Sequence, residues 1–127
     1  MRIQLDTDFL IYALSQAGAE RNRLRRVAES DAVLQISAVA WYEFSRGPRV
    51  PEQIAVARSL FAGDGVIAFD EPLAAHAAEI FRRLGSPRRR AADIAIGVTA
   101  AAMGAVLLTR NARDFAGIPD LDLEAVS

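Results

Sequence analysis

Short apolar runs separated by helical stretches constrain this chain more than any other feature. Arg2 to Leu5, Val33 to Ile36, Val66 to Phe69 and Val106 to Leu108 carry one charge among them, Arg2. Between them lie segments with helical periodicity. A strand with one wet face alternates apolar and polar residues, whereas a strand apolar on both faces belongs to a parallel sheet covered by helices. The expectation is therefore an α/β fold, and in such sheets ligands bind beyond the carboxyl ends of the strands.

The helical segments follow from their stop and start residues. Thr7 or Asp8 is the expected N-cap of a helix over Phe9 to Gln16, ended near Gly18. Glu20 to Ser30 is amphipathic, with Leu24, Val27 and Ala28 on one face. Ser37 caps a helix running to Ser45, stopped by Gly47-Pro48, and Glu52 to Phe61 forms another. Glu71 to Leu84 has Pro72 in its first turn and Gly85 at its end. Ser86 to Arg90 reads as a basic loop, Ala91 to Met103 as an alanine-rich helix, and Leu121 to Leu123 as a fifth strand. No repeat or linker interrupts the 127 residues, so a single domain over 1–127 is expected.

Composition removes several chemistries. There is no cysteine, one histidine (His76), and all 15 basic side chains are arginine. Disulfide scaffolds, zinc fingers, thiol chemistry and any lysine-dependent mechanism are excluded. The longest uncharged run, Ile94 to Thr109, is 16 residues, below the roughly 20 that a membrane-spanning helix needs. Two aspartates stand in the first ten residues, where a signal peptide would be apolar, so a cytoplasmic location without membrane contact is expected. The net charge of −1 gives no bulk attraction to nucleic acid.

Four carboxylates stand out by position. Asp6 follows the first strand, within Asp6-Thr7-Asp8, and is open to two readings, a metal or phosphate contact or a helix cap. Glu43 is the sole charge between Ser37 and Ser45 and shares a helix face with Val39 and Ala40. A carboxylate there needs a metal or a partner such as Arg46. Asp93 sits among Ile96, Gly97 and Ala100, in a first turn whose dipole favours an anion. Asp114 follows the fourth strand and has Arg110 and Arg113 as local alternatives to a site role. Gathered together, such carboxylates repel one another unless a cation joins them. All-oxygen ligands suit Mg²⁺ or Mn²⁺, the usual equipment of phosphodiester hydrolysis.

Other sites weigh less. His76 has no nucleophilic serine motif to serve. Asp6-Thr7-Asp8 also suggests a dehalogenase-type phosphatase, but the Gly-Thr continuation is replaced by Phe9-Leu10. Receiver domains gather aspartates similarly but lean on a lysine. Arg88, Arg89 and Arg90 lie just ahead of Asp93 and offer guanidinium groups for phosphate.

The chain resembles the PIN-domain ribonucleases, specifically the VapC-type toxins of bacterial toxin–antitoxin pairs. The resemblance rests on Leu5-Asp-Thr-Asp-Phe-Leu-Ile, Ile36-Ser-Ala-Val-Ala-Trp-Tyr-Glu-Phe-Ser-Arg-Gly, Ala92-Asp-Ile-Ala-Ile-Gly-Val-Thr-Ala and Leu107-Leu-Thr-Arg-Asn-Ala-Arg-Asp-Phe, in that order. It implies a three-layer α/β/α sandwich around a parallel sheet of four to five strands. It further implies a divalent-metal-dependent endoribonuclease acting as a toxin, with Asp6, Glu43, Asp93 and Asp114 both catalytic and binding Mg²⁺ or Mn²⁺. Asn111 is the neighbouring candidate for the fourth position, Thr109 lines the site, and Asp8 stands where asparagine is frequent. Arg88, Arg89, Arg90 and Arg110 are the expected RNA contacts. The implied partners are an RNA, transfer or ribosomal, a cognate antitoxin whose tail reaches the acidic pocket, and a second copy of the chain. The alternative is a catalytically silent PIN-like module that binds RNA or a partner. Val50, Ile54, Leu60 and Phe61 are open to two roles, partner surface or core.

Overall fold

The computed structural model describes all 127 residues, Met1–Ser127. Five strands, β1 (Arg2–Leu5), β2 (Val33–Ser37), β3 (Val66–Ile67), β4 (Ala105–Thr109) and β5 (Asp122–Ala125), form one sheet in the order β3-β2-β1-β4-β5. Every pairing is parallel, as expected for strands nearly free of charge. Six helices complete the α/β sandwich: α1 (Thr7–Ser15), α2 (Ala19–Ala28), α3 (Ala38–Ser45), α4 (Pro51–Ser59), α5 (Glu71–Arg83) and α6 (Ala91–Ala102). No helix is long and apolar enough to cross a membrane.

The sheet's order places its reversal of direction at β1. The chain moves outward through β2 and β3, then returns to the other side of β1 with β4 and β5. The crevice beyond the carboxyl ends of β1 and β4 is the expected ligand position in such a sheet, and it receives both Asp6 and Thr109.

Side-chain alternation divides β1 between two layers. Ile3 and Leu5 are buried on one face. On the other, Gln4 donates its Nε2 to the Ile96 carbonyl of α6 at 2.9 Å and accepts from Gln35 Nε2 of β2 at 2.7 Å. Both amides are fully buried. Their hydrogen bonds offset the desolvation that would otherwise make two glutamines in a core costly, and they tie α6 to the sheet.

Several boundaries differ from expectation. The cap of α1 is Asp6, not Thr7 or Asp8, and the helix starts at Thr7. Expected strand Val66 to Phe69 shortens to Val66–Ile67, because it is an edge strand paired only to Ile36 and Ser37. Arg88–Arg90, expected as loop, is a 3₁₀ turn leading into α6, and a second such turn forms at Ala112–Phe115. The fifth strand, expected over Leu121 to Leu123, starts one residue later and runs two further, over Asp122–Ala125. Of the four residues with two possible roles, Phe61 is core and Val50 exposed, with Ile54 and Leu60 half-buried.

Candidate active site

Three strand ends and the first turn of α6 deliver the acids. Asp6 leaves β1 in extended conformation, and its Oδ1 accepts the Thr7 amide at 2.8 Å, starting α1. Its Oδ2 accepts from Thr109 Oγ1, the last residue of β4, at 2.8 Å. Asp6 is therefore a helix cap and also the link between the two strands at the switch point. Of the two readings of its role, the helix cap is the one observed. Glu43 lies six residues beyond the β2–α3 junction, which Ser37 caps by accepting the Val39 amide. Glu43 Oε1 accepts from Thr7 Oγ1 at 2.9 Å and makes no ion pair with Arg46.

Asp93 occupies the first turn of α6, followed by seven consecutive buried residues, Ile94 to Ala100. Asp114 is held close by packing that sequence reading missed. Gly97 is one turn after Asp93 on α6, and a Cβ there would lie 2.6 Å from Ile118 Cδ1 and 3.3 Å from Phe115 Cδ1. The missing side chain lets the segment after β4 rest directly on the helix. Arg90 secures the same segment, donating Nε to the Asp114 carbonyl at 3.0 Å and Nη2 to the Ala116 carbonyl at 2.5 Å.

Asp6, Glu43, Asp93 and Asp114 line a single cavity of about 500 Å³, together with Asp8 and Asn111. Asn111 Nδ2 donates to Asp8 Oδ2 at 3.3 Å, and its amide donates to Thr109 Oγ1 at 3.0 Å. None of the carboxylates takes part in the chain's ion pairs, which are Arg23–Glu124, Arg83–Glu79 and Arg110–Glu20. The local partners considered for Asp114, Arg110 and Arg113, are not bonded to it.

This uncompensated charge is reflected in proton affinity. Burial first, and then the charges of Asp6, Asp114, Glu43 and Asp8, push Asp93 up to about 7. Asp6 is raised to about 6 by burial, with smaller contributions from Asp8 and Glu43, while the Thr109 hydroxyl and Thr7 amide pull it back. An acid that holds its proton near neutrality and takes part in no ion pair marks a place for a cation or for proton transfer.

No three acidic or histidine side chains converge closely enough to enclose an ion among themselves. The donor chemistry nevertheless fits a hard, hydrated cation. The carboxylates offer oxygen alone, and Mg²⁺ keeps several waters while taking one or two carboxylates directly.

The arginines divide differently from expectation. Arg110 is not available to substrate, since Nε pairs with Glu20 at 2.9 Å and the guanidinium lies 3.5 Å over the Tyr12 ring. Arg90 is likewise engaged with the two carbonyls above. Arg88 and Arg89 are exposed and unbonded. The cavity wall instead carries Arg46 and Arg49, from the Arg46-Gly47-Pro48-Arg49 segment after α3. The helix stop at Gly47-Pro48 was the sequence signal, since a chain halted there turns back over the end of its own helix. Thr7 was considered only as a cap, yet it is the partner of Glu43. His76 is exposed on α5, away from the cavity.

A second, apolar groove of about 430 Å³ adjoins the acidic one. Ile11, Leu14, Phe44 and Val56 line it, and Ile11, Pro48 and Arg49 are common to both.

The family described as PIN domain matches residues 3–121. No curated protein sequence matches the chain. Among solved structures, VapBC2 from Rickettsia felis, bound to a DNA fragment from its promoter, superposes with a TM-score of 0.72 at 24% identity over 100% of both chains. FitAcB from Neisseria gonorrhoeae gives 0.68 at 26% identity over 97% of this chain and 96% of that one. A toxin–antitoxin complex from Klebsiella pneumoniae gives 0.70 at 25% identity over 94% of each.

Proposed function

The chain belongs to the PIN domain family, and from that premise we propose that it is a divalent-metal-dependent endoribonuclease, the toxin of a toxin–antitoxin pair. The observation that carries this reading is the set of unpaired carboxylates on one cavity, with Asp93 pushed up to about 7. Asp6, Glu43, Asp93 and Asp114 would hold Mg²⁺ or Mn²⁺. When bound, such an ion supplies an activated water and charge stabilisation for phosphodiester hydrolysis.

The protein's own residues have separate tasks. Thr7 and Thr109 fix Asp6 and Glu43 through hydrogen bonds to three of their four oxygens, leaving the remaining lone pairs for the cavity. Asp93, pushed up to about 7 by burial and the neighbouring acids, would give up its proton when a cation joins the site. Arg90 holds Asp114 in place through its main chain. Arg88 and Arg89, free on the surface before α6, are proposed contacts for RNA phosphate.

The proposed antitoxin partner is supported by the apolar groove. A segment with an apolar face seated over Ile11, Leu14, Phe44 and Val56 would run directly to the acidic cavity at Pro48 and Arg49. A basic group on its end would meet the carboxylates there. A homodimer in a cytoplasmic setting belongs to the same proposal.

One observation favours a second reading, a module that binds RNA or a partner without cutting. No three acids converge on an ion. Incubating purified protein with RNA, with Mg²⁺, with Mn²⁺ and with EDTA, beside Asp6→Asn, decides between them. Cleavage abolished by EDTA and by the substitution supports the nuclease. Cleavage surviving both contradicts it. Growth inhibition relieved by Asp93→Asn supports catalysis in the cell, whereas persistent inhibition supports the silent module.

A further inference from the structure

Helix α3 sends consecutive side chains to three destinations. Trp41 turns inward, stacked on Phe44 with centroids 5.8 Å apart and edge-on to Phe61 at 6.4 Å. Glu43 faces the acidic cavity. Tyr42, between them, is 65% exposed, and every other aromatic side chain of the protein is buried or half-buried. No core contact explains a bare phenol ring beside the site.

Arg46, the C-cap of α3, is one turn further along the chain. Its guanidinium lies over the Tyr42 ring, 5.7 Å from the centroid, and also lines the acidic cavity. It makes no hydrogen bond or ion pair, although Glu43 is three residues away. Arg49, the other arginine of the wall, donates Nη1 to the Phe44 carbonyl at 2.6 Å and covers the Phe44 ring. Arg46 is therefore the cavity arginine with all its donors free. A polyanion approaching a cavity of carboxylates meets repulsion, and a cation on the wall is the means to offset it.

We propose that Tyr42 and Arg46 form a ledge for single-stranded RNA, in which one nucleobase stacks on the exposed Tyr42 ring while Arg46 holds the adjoining phosphate toward the acidic cavity. The inference rests on the nuclease reading for its substrate and adds the residues that receive it. An aromatic face with a neighbouring guanidinium is the ordinary equipment for unpaired nucleotides, because every base has a stackable face and duplex bases are not accessible to one. The ledge therefore selects unpaired over paired RNA without reading a particular base. The charge beside the ring argues for RNA as occupant over a second copy of this chain, whose matching face would bring a second Arg46 against the first.

The test uses full-length protein with Asp93→Asn, so that RNA is bound and not consumed, and a fluorescein-labelled single-stranded RNA of about twelve nucleotides followed by anisotropy at low salt. Tyr42→Ala is expected to weaken binding about 10-fold and Tyr42→Phe to leave it intact, since stacking uses the ring and not the hydroxyl. Arg46→Ala is expected to weaken binding and to reduce the dependence of log Kd on log salt by about one unit. A fully paired RNA should be indifferent to Tyr42→Ala. Single-stranded affinity unchanged within twofold in Tyr42→Ala, or no binding of the single strand by the parent protein, overturns the ledge. Circular dichroism confirms that each variant folds, and sedimentation velocity follows assembly. A change of oligomeric state in Tyr42→Ala assigns the face to a second copy and overturns the proposal as well. Cleavage by the Asp93 protein of the same RNA with Mg²⁺ is run alongside. Its absence contradicts the nuclease reading while the anisotropy still decides the ledge.

Discussion

Thr7 donates its hydroxyl to Glu43 Oε1 at 2.9 Å while its own amide donates to Asp6 Oδ1 at 2.8 Å. One residue of α1 thus links the acid that follows β1 to an acid of α3, 37 positions apart in sequence but beyond the ends of adjacent strands.

Replacing that hydroxyl isolates its contribution. Thr7→Val keeps the volume and the amide but leaves Glu43 without its anchor, and activity is expected to fall about 10- to 100-fold, as for other groups that orient metal-binding side chains. Thr7→Ser should retain most activity. The stability of Thr7→Val in urea should drop by only about 1 kcal/mol, separating a positioning defect from unfolding.

Thr109 acts on Asp6 through proton affinity. Its hydroxyl stabilises the ionised carboxylate, so Thr109→Val is expected to raise the Asp6 pKa further above about 6. The acid limb of the pH–rate profile should move to higher pH, and the carboxyl ¹³C titration of Asp6 should move with it. An unchanged titration would remove Thr109 from the account.

Stability should depend on pH in a direction set by Asp6 and Asp93. Both hold protons more tightly folded than unfolded, with pKa values raised from 3.8 to about 6 and about 7. The folded state therefore binds more protons between pH 4 and 7, and its stability falls as pH rises through that window. A metal-free sample should have a higher Tm near pH 5 than near pH 8. Mg²⁺ should raise Tm more at pH 8, where both acids are ionised, than at pH 5. Differential scanning fluorimetry with EDTA and with Mg²⁺ measures both trends.

Gly97 links packing to the fourth acid. A methyl group there must displace Ile118 and Phe115, and Gly97→Ala is expected to cost about 1–3 kcal/mol as overpacking. Because the displaced segment carries Asp114, activity should fall even below the unfolding temperature. Retained activity with retained stability would show that the segment moves freely on α6.

The sequence exposes what depends on local chemistry. β1 and its boundaries, the Ser37 cap, α5 from Glu71 and the parallel sheet all follow from runs of apolar residues and from Ser, Pro and Gly at helix ends. Glu43 and Asp93 stand out as charges on apolar helix faces, and Asp6 and Asp114 as acids just beyond a strand. Long-range partners do not show in that way. Nothing near Arg90 announces that it will bond to the Asp114 carbonyl, nor near Arg110 that Glu20, 90 positions away, will claim it. Thr7 looks like a cap because capping is the local use of a threonine after a strand, and its bond to Glu43 exists only once β1 and β2 are side by side. Gly97 looks like a helix flaw until the segment after β4 lies across it.

The central claim is that these acids act together as one divalent-metal site. Titrating purified protein with Mn²⁺ and following free ion by electron paramagnetic resonance tests it most directly. The account predicts binding that Mg²⁺ displaces and that Asp6→Asn, Glu43→Gln and Asp93→Asn each weaken by more than about 10-fold. Mn²⁺ binding equally to the native protein and to all three variants would contradict it.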